Sequence, residues 1–195
     1  MLHEIIIAGF GGQGVMSMGQ LLAYAGMIED LHVSWLPSYG PEQRGGTANV
    51  SVIISDQPIG SPVIQDPTVA IVLNNPSFQK FEPKVRPSGV LIVNKSIIDL
   101  KSSRRDITII EVPATEIASG IGSARVANSV ILGAFLQYSQ AVPEEAVIKS
   151  LKKVLSERKQ YLIPANQEAL NKGANLVRTR NAKKALGDIN RECSL

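Results

Sequence analysis

Glu4-Ile5-Ile6-Ile7-Ala8-Gly9-Phe10-Gly11-Gly12-Gln13-Gly14 decides how the chain is read. Residues 4–8 form a β-branched, apolar run that stops at a glycine cluster, the pattern of a strand buried on both faces. It predicts the first and central strand of a sheet. After the cluster, Val15, Met18, Leu22 and Ala25 recur at helical spacing as far as residue 28. Gly19, Ala23 and Gly26 beside them are small enough for a helix to lie close on that sheet. The opening unit is strand, glycine turn, helix.

Working outward, residues 32–36 and 48–55 read as the second and third strands. The segment between them is too short for a crossover helix, so the two are expected to run antiparallel. Further strands are predicted at 69–73, 90–93 and 107–112, with a short helix near 77–85. Beyond Pro113 the pattern turns helical, at 115–119, 125–140, 143–158 and 165–179. Pro143 suits a first helical turn, with Glu144 and Glu145 at the positive end of the dipole. The expected class is α/β: a Rossmann-like mixed sheet, mostly parallel with an antiparallel pair, helices on both faces and a helical C-terminal part. We assign residues 1–180 to a single α/β domain and 181–195 to a basic C-terminal tail.

The chain has 195 residues, 44% hydrophobic and 19% charged, the balance of one ordinary globular domain. Its 20 basic and 17 acidic residues leave a net charge of +3 without a block of either sign. Neither a nucleic-acid arm nor a polybasic membrane anchor is expected. The lone Cys193 excludes a disulfide framework and a thiolate set for zinc or an iron–sulfur cluster. The start of the chain lacks a basic n-region, and its apolar run is too short for a signal or a membrane span, so a cytoplasmic location is expected.

Residues 9–14 fit G-x-G-x-x-G between a strand and a helix. Gly9 would permit the tight exit from the strand and Gly11 the approach of a ligand. Gly14 would let the helix start near the sheet with its free N–H groups facing an anion. Gly12 and Gln13 complete the candidate contact set. A nicotinamide site would also want an acid at the end of the second strand, where Leu36-Pro37-Ser38 stands instead. Glu29 and Asp30 precede that strand. The turn therefore suits an anion better than a nicotinamide cofactor, and a tight turn serving only packing stays open.

The loop that follows, Ser38-Tyr39-Gly40-Pro41-Glu42-Gln43-Arg44-Gly45-Gly46-Thr47, gathers a ring, a carboxylate and a guanidinium among glycines. Arg44 beside Gly45 and Gly46 offers a forked donor and accessible backbone N–H groups to a phosphate or carboxylate, and Glu42 can orient it. The plainer reading is a surface connection with solvated charges.

These two segments, with Asn128-Ser129-Val130-Ile131-Leu132-Gly133-Ala134, resemble the gamma subunit of 2-oxoacid:ferredoxin oxidoreductases over roughly residues 3–175. The resemblance implies a thiamine-diphosphate enzyme that oxidatively decarboxylates a 2-oxoacid, reduces ferredoxin and passes the acyl group to coenzyme A. Thiamine diphosphate, magnesium and the iron–sulfur clusters would sit in partner subunits, alpha and beta, with a ferredoxin-like delta subunit as a further candidate. The gamma chain would bind no cofactor alone and supply no catalytic residue. The resemblance favours 2-oxoglutarate or branched-chain 2-oxoacids, with indolepyruvate and pyruvate as alternatives. Asn128 would face a ligand or interface, or else satisfy its own first helical turn.

Two other classes stay open from the residues themselves. One is a free-standing dinucleotide oxidoreductase, although His3 and His32 are poorly placed as bases. The other is a ligand-free scaffold. The apolar helices after Pro113 lead us to expect a homodimer of the isolated chain.

Overall fold

The structure, a computed structural model, describes residues 1–39 and 47–192. Strands β1 (Leu2–Phe10), β2 (His32–Tyr39), β3 (Thr47–Ser55), β4 (Val69–Val72), β5 (Val90–Asn94) and β6 (Thr108–Val112) form one sheet in the order β2-β3-β1-β4-β5-β6. Helices α1 (Val15–Ile28), α2 (Asn75–Phe81), α3 (Ala114–Gly120), α4 (Ala127–Ser139), α5 (Glu144–Val154) and α6 (Ile163–Glu192) surround it. β1 is central and pairs in parallel with β4, as do β4 with β5 and β5 with β6. β3 alone runs against the rest. It lies between β1 and β2 and is antiparallel to both, with Phe10 opposite Thr47 and Tyr39 opposite Ala48.

Alternation along β1 divides the core. Ile5 and Ile7 face the larger side, where α1, α3, α4, α5 and α6 pack with Val50, Val52, Ile54, Ile71 and Ile92. Ile6 and Ala8 face the other, where Phe78 and Phe81 of α2 cover Ala70, Val72, Leu91 and Val93. The expected class holds, with helices on both faces in unequal number.

Several expected boundaries move, each for a local reason. Pro37 and Ser38 belong to β2 and not to the loop. β2 is the sheet edge, where a residue without an N–H costs no ladder bond. Pro143 caps α5 from outside in an extended conformation, with ψ 150°, and does not occupy its first turn. Glu144 and Glu145 do occupy that turn. α5 ends at Val154 because Leu155 turns extended, with ψ 126°, and a 3₁₀ segment at Glu157–Leu162 follows. α4 is entered through a 3₁₀ turn at Ala124–Val126. α6 continues to Glu192, past the expected end at 179 and across the 180/181 division. Its last buried side chain among the described ones is Val177, so no apolar stripe announces the extension.

Glycines set the closest approaches. A Cβ at Gly19 of α1 would stand 2.8 Å from Val50 Cγ1, and one at Gly26 2.7 Å from Val33 Cγ2. Both are tighter than real Cβ contacts allow, so α1 lies on β2 and β3 as the small residues suggested; Ala23 is only half-buried. The α4–α6 crossing is tighter still. A Cβ at Gly133 would collide with the carbonyl of Leu170, and one at Gly173 with the carbonyl of Val130. One turn away, buried Ser129 donates from Oγ to Asn166 Oδ1 at 2.6 Å, and Asn166 Nδ2 donates to the Leu162 carbonyl at 2.7 Å.

Gly133→Ala or Gly173→Ala should therefore force the two backbones apart and cost about 2–3 kcal/mol, the upper range of overpacking. Melting should fall by roughly 5–10 °C. Gly60→Ala, where an added Cβ meets nothing within 4 Å, should leave melting unchanged in the same calorimetric scan.

Candidate functional site

β1, β4 and β5 end along one edge of the sheet. From there the chain leaves β1 for α1 on one face and β4 for α2 on the other. Such a switch point opens a crevice outside the carboxyl ends of the strands. Here it is a cleft of about 290 Å³, lined by the glycine turn, by Leu73 and Asn94 after and at the ends of β4 and β5, by Thr115 of α3, and by Arg125 and Asn128 at the start of α4.

The turn is held by its own amide side chain. Gln13 Oε1 accepts from the Phe10 N–H at 2.6 Å, and Gln13 Nε2 donates to the Leu73 carbonyl at 3.1 Å. The Gln13 N–H closes the turn onto the Phe10 carbonyl at 3.2 Å. Gly9 is explained by this clamp and not by the strand exit, since a Cβ there would lie 2.6 Å from Gln13 Oε1. Gly12 has φ +96°, a left-handed conformation that favours glycine. Gly14 has φ +81°, and a Cβ there would lie 2.5 Å from Asn128 Nδ2. A Cβ at Gly11 or Gly12 would meet nothing within 4 Å, and of the two only Gly11 has no positive φ to explain it, so its missing side chain keeps open space open.

Two helix starts meet at this point. α1 begins behind Gly14 and α4 behind Val126, and neither has a side-chain cap. The aligned peptide dipoles leave each end partly positive; at α4 the Ala127 N–H is taken by the Ala124 carbonyl in the 3₁₀ entry. Asn128 Oδ1 accepts from the neighbouring Ser129 N–H at 3.0 Å, which leaves its Nδ2 against Gly14. Arg125 is exposed and forms no ion pair with a described carboxylate. It is the one charged side chain among the described residues lining the cleft. Asn94, only 3% exposed, donates from Nδ2 to Thr115 Oγ1 at 3.3 Å, while its Oδ1 has no partner among the described residues. The cleft is thus positive and rich in hydrogen-bonding groups. No described His, Lys, Asp or Glu lines it to move a proton. Burial and the N-terminal charge lower the His3 pKa, but His3 sits at the opposite end of β1.

Of the expected residues, Gly12, Gln13, Gly14 and Asn128 come together in the lining of the cleft, whereas Gly9 and Gly11 belong to the same segment but do not line it. Ser38 and Tyr39 end the edge strand β2; Ser38 pairs with Asn49 and does not line the cleft. Gly40, Pro41, Glu42, Arg44, Gly45 and Gly46 lie outside the described residues. Asn94 and Thr115 were missed. The available signal was an amide immediately after the buried run Val90, Leu91, Ile92, Val93, at the strand end where α/β sheets bind ligands.

A dinucleotide would need an acid on the strand beside β1. β3 fills that position, which puts β2 two strand spacings away, roughly 10 Å. Nor do the residues suit a metal: among those described, no group of three His, Cys, Asp or Glu comes together. Among the described residues no helix is long and apolar enough to cross a membrane.

Fold and cleft define an open-sheet α/β domain with a crevice at the carboxyl ends of its central strands. The chain belongs to the pyruvate ferredoxin/flavodoxin oxidoreductase family, whose family model matches residues 4–176. It is 39% identical over 175 residues to the ketoisovalerate oxidoreductase subunit VorA of Methanothermobacter marburgensis, covering 90% of this chain and 36% of that one. It thus spans about a third of the length of the curated relatives it first matches. Among solved structures, the gamma subunit of a keto/oxoacid ferredoxin oxidoreductase from Geobacter sulfurreducens superposes with TM-score 0.77 at 27% identity, over 91% of this chain and 99% of that chain. The 2-oxoglutarate:ferredoxin oxidoreductase of Magnetococcus marinus, with 2-oxoglutarate, coenzyme A and succinyl-CoA bound, shares the fold with TM-score 0.82 at 22% identity, over 91% of this chain and 31% of that one.

Gly14→Ala should strain the backbone and push Asn128 away, at about 1–3 kcal/mol and several degrees of melting temperature. Gly11→Ala should leave melting unchanged. Equal losses in both would show that Gly11 serves the fold and not an open ligand face.

Proposed function

We propose that this chain is the gamma subunit of a 2-oxoacid:ferredoxin oxidoreductase and that its cleft holds the phosphates of coenzyme A. The observation that carries the reading is the meeting of two helix starts and Arg125 on an open glycine turn, with no acid among the described residues lining the cleft. Coenzyme A fits because it brings several phosphates, and the acyl acceptor must reach the acyl intermediate after decarboxylation. The family match and the coenzyme A in the Magnetococcus marinus enzyme support the same assignment.

Partner alpha and beta subunits, with or without a ferredoxin-like delta subunit, would hold thiamine diphosphate, magnesium and the iron–sulfur clusters. Ferredoxin would take the electrons in the cytoplasm. Thiamine supplies the carbanion chemistry, while the residues here bind and orient the acceptor and exclude competing anions. The 2-oxoacid is chosen where thiamine sits, outside this chain. We favour 2-oxoglutarate or a branched-chain 2-oxoacid, since the similar proteins bear the names of ketoisovalerate and 2-oxoglutarate enzymes.

Residues 40–46 join the ends of β2 and β3, and Thr47 stands opposite Phe10 at the root of the glycine turn. Arg44 on this segment is our candidate for a second phosphate contact. In the assembled enzyme, Arg44→Ala and Arg125→Ala should each raise the KM for coenzyme A by about ten- to a hundredfold, the worth of one charge-assisted contact. The 2-oxoacid KM should move little. Arg44→Lys should recover part of the loss if the contact is bidentate. An equal fall in decarboxylation without coenzyme A would move these residues to the thiamine side.

The chain alone should reduce no viologen dye with 2-oxoglutarate, 2-oxoisovalerate or pyruvate. Turnover by the purified chain would refute the subunit assignment.

A further inference from the structure

Gln13 occupies the fifth position of the glycine turn, where a long polar side chain invites reading as a ligand contact. The geometry gives it other work. Its Oε1 accepts from the Phe10 N–H at 2.6 Å and lies 3.5 Å from Asn74 Nδ2, while its Nε2 donates to the Leu73 carbonyl at 3.1 Å. Each end of the amide is therefore engaged inside the chain, although Gln13 lines the cleft and its Nε2 keeps a second N–H. Asn74, 1% exposed, in turn caps α2, its Oδ1 accepting from the Ser77 N–H at 2.8 Å. The turn is thus tied through one amide to the ends of β1 and β4 and to the helix on the opposite face of the sheet. Gly9 makes the room, because any Cβ there would collide with Gln13 Oε1.

From this we infer that Gln13 is a positioning residue: it spans the glycine turn so that the Gly11, Gly12 and Gly14 N–H groups stay turned to the ligand, and Gly9 and Gln13 act as one unit. The inference rests on the phosphate reading of the cleft. Phe10 is the turn residue whose N–H would otherwise compete for a ligand oxygen or drift to solvent, and the clamp takes it out of that competition. None of the Gly11, Gly12 and Gly14 N–H groups donates to a described acceptor. Apart from the clamp, the turn is held by the backbone bond from the Gln13 N–H to the Phe10 carbonyl.

The test is a nitrogen–proton NMR titration of the full chain with coenzyme A, read at the glycine N–H signals, for wild type, Gln13→Met, Gly9→Ala and the double variant. Wild type should show saturable shifts at Gly11, Gly12 and Gly14. Gln13→Met keeps the side-chain length and loses both hydrogen bonds, and its affinity should fall about tenfold or more. Gly9→Ala should fall by a similar factor, and the double variant should be no weaker than either single one, because both remove the same contact.

Gln13→Glu supplies a variant that regains the clamp with acid. Its carboxylate repels the Leu73 carbonyl, whereas its protonated form can donate to it. Its affinity relative to wild type at the same pH should be lowest near pH 8 and recover as pH falls to about 4, where an ordinary carboxyl becomes substantially protonated.

If coenzyme A moved no glycine signal of wild type, the phosphate reading would fall and this inference with it. Binding by wild type and by folded Gln13→Met with equal affinity would overturn the inference alone. So would fully additive losses in the double variant. Should Gln13→Met fail to fold, a Gln13→Glu to wild-type affinity ratio that stayed flat with pH would overturn it instead.

Discussion

Backbone contact between α4 and α6 at Gly133 and Gly173 fixes where one wall of the cleft stands. Without it α4 would ride farther from α6, and its first turn could not press Asn128 against Gly14. The buried Ser129–Asn166 bond sets the axial position at the same end of α4. This arrangement has an electrostatic cost. Two helix ends of like sign are held near one another, a pairing of positive dipole ends that repels. Packing in the larger core maintains that arrangement, and a bound phosphate would relieve it.

The reversed strand β3 decides what kind of anion the cleft can take. In a doubly wound nucleotide fold, the strand beside β1 carries the residue that recognises a ribose. Here that neighbour runs the other way and begins at Thr47, so the same edge presents the end of a hairpin. The glycine turn lies beside a strand that carries no described acid, and so lacks the recognition element for a nicotinamide nucleotide. That is why the fingerprint by itself would have misled, and why the missing acid in the sequence was the more informative sign.

Much of the fold could be read before any coordinates. The β-branched run of β1, the helical spacing of α1 and the short β2–β3 connection give the sheet its centre and its antiparallel strand. The position of β3 between β1 and β2 could not be read, because apolar alternation in Val50, Val52 and Ile54 states that one face is buried but not which neighbour pairs with it. The α4–α6 crossing was hidden for a related reason. A lone glycine within a helix reads as a weak point, and only the partner backbone reveals it as a contact. In the site, the turn and Asn128 were legible from their residue types, whereas the hydrogen bonds of Gln13 to Phe10 and Leu73 were not, because they depend on where β4 ends. Asn94 and Thr115 are ordinary polar residues made notable only by the strand ends that carry them.

The β2–β3 hairpin also bears on how such a chain can change over evolutionary time. Its register is pinned on both sides by long ladders, and a one-residue slip would turn Asn49 and Ser51 into the core in place of Val50 and Val52. Residues 40–46 can therefore lengthen or shorten without shifting the strands. Doubling such a connection costs only about 0.6 kcal/mol in closure entropy. New residues can thus be tried beside the glycine turn while the sheet that holds it stays as it is, which makes this connection a cheap place for paralogues to diverge.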